Sequence, residues 1–287
     1  MKNYPTVFIA ILAKQKESVL PFFLETIENL DYPKDKIFLY IRTNNNTDNT
    51  ETILKQWVDK NAVNYKGYHF ANSNVDVNIE KYKTHEWNKE RFSVLGKIRQ
   101  DSIDECIEGN YDYYFVVDVD NFIYPNTLKD LVEANQPIIA PLLRYAVAKS
   151  EFPDRQDVGQ DVGPTKARFY SNYHYKVDDH GWFVADPLYY EVLYQNVTGL
   201  IDMPCVHCTY LIKKEYLPSL RYLDGSERYE YMVFSKSAKA NNIPQYLDNR
   251  KIYGVLTLTE NIESSMWWFN YLKDPDTQKE RSKELLN

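Results

Sequence analysis

The chain has 287 residues, 44% of them hydrophobic and 15% aromatic, with a formal net charge of -7. That is enough apolar material for one large core or two small ones, and too much for a disordered segment. The acidic balance, with a pI near 5.4, argues against a nucleic-acid footprint beyond a local basic patch and suits a basic polymer as partner. No window reaches the roughly 18 to 20 apolar residues of a membrane span. The opening MKNYPTVFIAIL lacks a signal-peptide cleavage site, so a soluble intracellular chain is expected.

In chain order, residues 6–13 (TVFIAILA) predict a buried strand, and residues 18–30 a helix with Leu20, Phe23, Leu24 and Ile27 at helical spacing. Residues 37–42 (IFLYIR) predict a second strand running into TNNNTDNT, a polar turn that can cap a helix over 51–60. This β-α-β-α alternation implies a mostly parallel sheet with right-handed crossovers, an α/β nucleotide-binding layer rather than a sandwich. A helix over 90–108 carries Lys97, Arg99 and Gln100; one of these cations on a diphosphate and plain surface decoration are both open readings.

Residues 113–117 (YYFVV) predict a buried strand whose end delivers Asp118 and Asp120, with strand alternation facing both to one side. Two hard oxygen donors at the carboxyl end of a strand can hold a divalent cation for a nucleotide diphosphate, although Asp-x-Asp is also an ordinary solvated strand end. A short helix over 127–133 and a strand over 138–143 follow. Residues 144–187 are aromatic and irregular, with Tyr170-Ser171-Asn172-Tyr173-His174 and Trp182 among them; so long an irregular stretch suits binding. Residues 206–212 (VHCTYLI) predict a strand. The Cys205-Val206-His207-Cys208 spacing has no second Cys or His pair to complete a zinc site, and three cysteines are too few for a disulfide framework. Glu230 opens a helix over 230–240, as a cap or as a base. From Trp267 onward a charged helical pattern with Leu272 and Leu285 is expected to pack on the outside.

Several separate blocks carry a resemblance: Pro5 through Lys14, Leu20-Pro21-Phe22-Phe23-Leu24, Leu30-Asp31-Tyr32-Pro33, Asn46-Thr47-Asp48-Asn49-Thr50, Trp87 with Arg91, Arg99-Gln100, the DVDN run, Ala140-Pro141-Leu142, Tyr170-Ser171-Asn172 and Val206-His207-Cys208-Thr209. In this order they resemble the amino-terminal half of the procollagen galactosyltransferases. They are also similar to the accessory glycosyltransferase-like domain of the multifunctional procollagen lysyl hydroxylases. The resemblance covers nearly the whole chain.

It implies a single GT-A domain of Rossmann-like α/β type with a mostly parallel central sheet: a nucleotide-sugar half over 1–125, an acceptor half over 126–260 and a helical tail over 261–287. It implies Mn²⁺, with Mg²⁺ as a partial substitute, and UDP-galactose or UDP-glucose as donor. The acceptor implied is hydroxylysine, or galactosyl-hydroxylysine, in a lysine-rich collagen-like chain, with galactosyl transfer favoured; a silent collagen-binding module is the other class. On this mapping Asp118 and Asp120 hold metal and donor; apart from the mapping, His207 is the candidate third ligand, with a buried structural histidine as the other open reading. Ala13, Thr43, Asn46 and Asp48 line the uridine, and Lys97 or Arg99 faces the diphosphate. From the aromatic stretch and the low pI, Tyr170, Asn172 and Trp182 are expected to line an acceptor groove, with core filling as the other open reading of the rings. The family shows paired aspartates where this sequence has Tyr229-Glu230, which leaves Glu230 as the general base. His207 is kept by the galactosyltransferases and lacking in the accessory domain.

Overall fold

A computed structural model describes residues 4–75, 89–146, 170–226, 228–258 and 260–273. Trp87, Leu285, residues 76–83 and residues 147–169 of the irregular stretch lie outside the described residues.

Two runs without a polar side chain at their centres form the middle of the molecule, β1 (Val7–Ala13) and β4 (Tyr113–Val117). Between them come α1 (Leu20–Glu28), β2 (Ile37–Thr43), α2 (Thr50–Asn61), β3 (Gly67–Ala71) and α3 (Lys89–Glu108). The second half supplies β5 (Asn121–Ile123), α4 (Thr127–Ala134), β6 (Ile138–Pro141), β7 (Arg144–Tyr145), β8 (Tyr173–His174) and α5 (Leu188–Leu193). It continues through β9 (Leu200–Asp202), β10 (Cys205–Val206), β11 (Thr209–Lys213), α6 (Glu230–Ala240), β12 (Gln245–Asp248), β13 (Gly254–Leu256) and α7 (Ile262–Tyr271).

Among the described residues the main sheet has eight strands in the order β3-β2-β1-β4-β11-β6-β12-β9. Pairing is parallel from β3 through β4 and between β6 and β12, and antiparallel on both sides of β11 and at β9. Six strands therefore run in one direction, as the expected mostly parallel α/β layer requires. Parallel neighbours cannot be joined by a tight turn, so α1, α2 and α3 serve as crossovers and cover the sheet. All five β4 residues are buried, which is why YYFVV reads as a continuous apolar run rather than an alternating one.

A smaller sheet, β5-β13-β7, lies beside the carboxyl end of β4. Gly254 makes it possible: φ is +152° and a Cβ there would sit 2.0 Å from the Phe122 carbonyl oxygen. The predicted single strand over 206–212 is broken in two because Cys208 adopts φ +65°. The C-terminal helix, expected on the outside, buries Trp268 and Phe269, and Leu272 just after it is buried as well. Phe269 packs against Phe22 and Tyr124, so one face of α7 belongs to the core while Trp267 stays exposed. No helix among the described residues is long and apolar enough to cross a membrane.

Candidate functional site

The strand β4 ends at Val117, so Asp118 and Asp120 stand on a turn rather than on the strand whose alternation was expected to aim them. Asp118 N–H donates to the Cys208 carbonyl at 3.0 Å, Asn121 N–H to the Asp118 carbonyl at 2.9 Å, and Thr257 N–H to the Asp120 carbonyl at 3.0 Å. Asn121 Nδ2 also donates to Thr209 Oγ1 at 2.7 Å. With its backbone fixed on three sides and Val119 buried, the turn leaves both carboxylates about a quarter exposed, 27% and 26%, at the carboxyl end of the sheet.

Each carboxylate is met by one cation. Arg99, on the buried face of α3, donates from Nη2 to Asp118 Oδ1 at 2.7 Å, and its Nε lies 3.6 Å from Glu230 Oε1. One guanidinium thus joins the Asp-x-Asp turn to the first residue of α6. Lys97 lies apart from this bridge: two residues along a helix are about 200° apart, and Lys97 is 70% exposed and paired with Asp101 at 3.1 Å. Arg99 is the helix cation at the site. The second cation, Lys16, comes from the loop after β1 and donates to Asp120 Oδ2 at 2.9 Å and Glu260 Oε1 at 2.6 Å. Burial alone would lower its pKa, but the Asp120 and Glu260 charges outweigh that and keep it an ammonium. Burial pushes the Glu230 carboxyl above the usual carboxylate range, with Arg99 opposing.

Ala13 and Thr43 are register partners at the ends of β1 and β2, and Thr43 Oγ1 donates to the Ala13 carbonyl at 2.8 Å. Asn46 donates to Thr43 Oγ1 and accepts from Gln15 N–H at 3.0 Å. Asp48 accepts from Glu17 N–H and Thr50 N–H, both at 3.1 Å. Gln15 and Thr47 exchange two further bonds. The predicted uridine residues therefore lie together on one rim, where they fasten the loop bearing Lys16 to the loop that starts α2.

The other rim is aromatic. Cys208 Sγ contacts Tyr170 OH at 3.4 Å and His207 Nδ1 at 2.9 Å. His207 stacks on Tyr231 at 4.8 Å and meets His174 edge-on at 5.1 Å. Burial lowers both imidazole pKa values, His174 down to about 4 and His207 well below its usual value, with the neighbouring His174 and then Arg99 adding to the effect at His207. Trp182, 45% exposed, meets Tyr229 edge-on at 5.3 Å, just before Glu230. Asn172 lies behind this rim. It is fully buried, donates to the Pro141 carbonyl at 2.7 Å and accepts from His207 N–H through its own carbonyl at 2.9 Å, so it fixes the end of β6 to His207 rather than facing an acceptor.

Among the described residues no three His, Cys, Asp or Glu side chains gather into a metal-binding cluster, so the expected Asp118, Asp120 and His207 set does not assemble. The two carboxylates still suit a hard cation. Each has one oxygen engaged by a cation and its other oxygen without a hydrogen bond among the described residues, and Mg²⁺ or Mn²⁺ commonly takes one or two carboxylates plus phosphate oxygens and water. Lys16 and Glu260 were not singled out from the sequence. They reach the site from loops far apart in the chain, and no local pattern marks them.

Residues 4–154 match the family model described as glycosyltransferase family 25, N-terminal domain. Human (Homo sapiens) procollagen galactosyltransferase 2 is 31% identical over 280 residues, covering 91% of this chain and 41% of that protein. The inactive glycosyltransferase 25 family member 3 of Mus musculus is 27% identical over 275 residues, with the same 91% and 41% coverage. The chain therefore spans about two fifths of the length of these curated relatives, 41%. Among solved structures, S. aureus TarS 1-349 aligns with a TM-score of 0.51 at 14% identity, over 88% of this chain and 60% of that one. The mannosyltransferase PcManGT from Pyrobaculum calidifontis, in complex with GDP-Man and Mn²⁺, aligns with a TM-score of 0.51 at 12% identity, over 93% and 60%. At such identities the likeness establishes the GT-A fold alone. By the family match over more than half its length, the chain belongs to glycosyltransferase family 25.

Proposed function

We propose that the chain transfers a hexose from a UDP-sugar to the hydroxyl of hydroxylysine in a collagen-like chain, with galactose as the favoured sugar. The observation that carries this reading is the Arg99 bridge: one buried guanidinium spans Asp118 and Glu230, placing a carboxylate outside the Asp-x-Asp turn but beside it. A metal-assisted displacement needs this division of labour. Asp118 and Asp120 would hold Mn²⁺ or Mg²⁺ against the diphosphate, and the cation would supply neutralisation of the charge that develops on the departing UDP. Glu230 would accept the proton of the attacking hydroxyl from the opposite face. Its raised pKa moves it toward working pH, where a base accepts a proton with the best balance of basicity and availability. Ala13, Thr43, Asn46 and Asp48 form the donor rim, in the half 1–125. Tyr170, Trp182 and Glu230 form the acceptor rim, in the half 126–260.

The names of the relatives support the acceptor assignment, and the 31% identity to a procollagen galactosyltransferase covers 91% of the chain. An acidic protein with an exposed tryptophan beside its base suits a lysine-rich peptide that carries a hydroxyl or a sugar. Glucosyl transfer to galactosyl-hydroxylysine uses the same parts and differs by one epimeric hydroxyl. A second reading, a silent collagen-binding module, is favoured by the inactive mouse relative and by the single acid at the start of α6. The deciding experiment offers UDP-galactose and UDP-glucose with hydroxylysine, galactosyl-hydroxylysine and lysine peptides, in Mn²⁺, Mg²⁺ or EDTA. EDTA-sensitive galactosylation of the hydroxylysine peptide is expected. Peptide binding without transfer from either donor would establish the silent module instead.

A further inference from the structure

Lys16 stands where a cation would stand. Its ammonium donates to Asp120 Oδ2 at 2.9 Å and to Glu260 Oε1 at 2.6 Å, with only 16% of its side chain exposed. Ser18 Oγ donates to the second Glu260 oxygen at 3.3 Å, which orients that carboxylate toward the ammonium. The backbone on both sides is held in a conformation that costs non-glycine residues about 1 to 2 kcal/mol: Gln15, just before Lys16, has φ +54°, and Glu260 has φ +55°. The bonds from Gln15 to Asn46 and Thr47 and from Lys16 N–H to Thr50 Oγ1 at 2.7 Å pin the lysine's loop to the donor rim. Strain retained at two loops that meet on one ammonium marks a site the fold holds in place.

Resting on the Asp118 and Asp120 reading above, we propose that Lys16 is a positioning residue that competes with the divalent cation for Asp120, and that Glu260 is the carboxylate that keeps the ammonium in the site when the cation takes Asp120. The reasoning is electrostatic. An ammonium at hydrogen-bond distance cancels much of the attraction Asp120 offers a second cation, so the cation alone binds weakly. A nucleoside diphosphate adds negative charge at the same edge. The ammonium can then leave Asp120 for Glu260 and the phosphate oxygens with its charge still compensated. Metal and nucleotide binding become mutually dependent, each strengthening the other by the same factor. Glu260 is required for this because a lysine with Asp120 as its sole partner would lose its counter-charge on moving.

The test measures Mn²⁺ binding to the full chain by electron paramagnetic resonance, without nucleotide and with saturating UDP, in the native protein and in Lys16→Met, Lys16→Arg and Glu260→Gln. Lys16→Met keeps most of the aliphatic stem and removes the charge. It should bind Mn²⁺ alone on the order of tenfold more tightly, a gain of about 1.4 kcal/mol, and its Mn²⁺ affinity should respond less to UDP. Lys16→Arg should restore weak binding, which a purely structural role for the stem would not do. Glu260→Gln should weaken Mn²⁺ binding most when UDP is present. If the native protein shows UDP-dependent Mn²⁺ binding and a folded Lys16→Met matches it in both conditions, this inference is overturned while the site reading stands. If the native protein binds no Mn²⁺ even with UDP, both are overturned.

Discussion

Replacing Arg99 by methionine separates the structural and chemical roles of the guanidinium, and its cost can be worked from the two ends of the bridge. Arg99 is 5% exposed, its Asp118 partner keeps 27% of its side chain in solvent and its Glu230 partner 7%. Stranding a buried charge by removing its partner costs about 3–5 kcal/mol, whereas the solvent-facing Asp118 pair is worth about 1 kcal/mol or less. The loss at pH 7 should therefore be about 3 kcal/mol and come mainly from Glu230. For a chain of this size that lowers Tm by roughly 6–12 °C. The pH dependence has a definite sign. Burial already raises the Glu230 pKa, and without Arg99 it rises further, so the folded variant holds a proton at pH values where the unfolded chain has released it. Its deficit is then largest at high pH and shrinks as pH falls through the raised pKa. Thermal melts of native and variant protein from pH 5 to 8, together with Arg99→Met/Glu230→Gln, read this directly. The double variant should recover part of the loss. A deficit that is the same at every pH, or one that Glu230→Gln leaves in full, would refute the assignment of the cost to a stranded Glu230.

Asp120→Asn should abolish transfer and metal-dependent UDP binding while leaving Tm within a few degrees, because its backbone bonds to Thr257 and the Val119 anchor remain; calorimetric UDP titration with and without Mn²⁺ checks this, and unchanged turnover would move the metal elsewhere. Gly254→Ala should cost about 2 kcal/mol or more and lower Tm by roughly 4 °C or more, since the added Cβ would meet the Phe122 carbonyl at 2.0 Å; a native-like melt would contradict the β5–β13 register. Binding of a lysine-rich Gly-X-Y peptide should weaken between low and physiological salt, as expected for a cationic chain on a protein of net charge -7, and salt-independent affinity measured by fluorescence anisotropy would argue against that electrostatic match.

The sheet was legible where a strand is buried on both faces. The runs 6–13, 37–42 and 113–117 give β1, β2 and β4 with boundaries shifted by at most one residue, and the helical spacing of 90–108 gives α3. The short strands β3, β5, β12 and β13 were not read, since three to five residues with mixed polarity carry no period of their own. Their pairing is decided by distant partners such as Ile123 opposite Gly254. The break in 206–212 also escaped, because nothing in VHCTYLI shows that Cys208 must turn to give its carbonyl to Asp118. Within the site, the sequence named Asp118, Arg99 and Glu230, which the fold joins through Arg99, and Asp120, which Lys16 holds. Lys97, paired with Asp101, and the buried Asn172 sit apart from these groups, because spacing along the chain does not set the direction of a side chain. Lys16 and Glu260, 244 residues apart, meet only after folding.

The central claim is that Glu230 takes the proton of the acceptor hydroxyl in an inverting transfer. The measurement that tests it most directly is the turnover of Glu230→Gln beside the anomeric configuration of the native product, with rates followed across pH. The account predicts a β-linked product, a native rate that rises with pH as Glu230 loses its proton, and a loss of about 10²- to 10⁴-fold in the variant with UDP binding nearly unchanged. An α-linked product together with full activity of Glu230→Gln would contradict it.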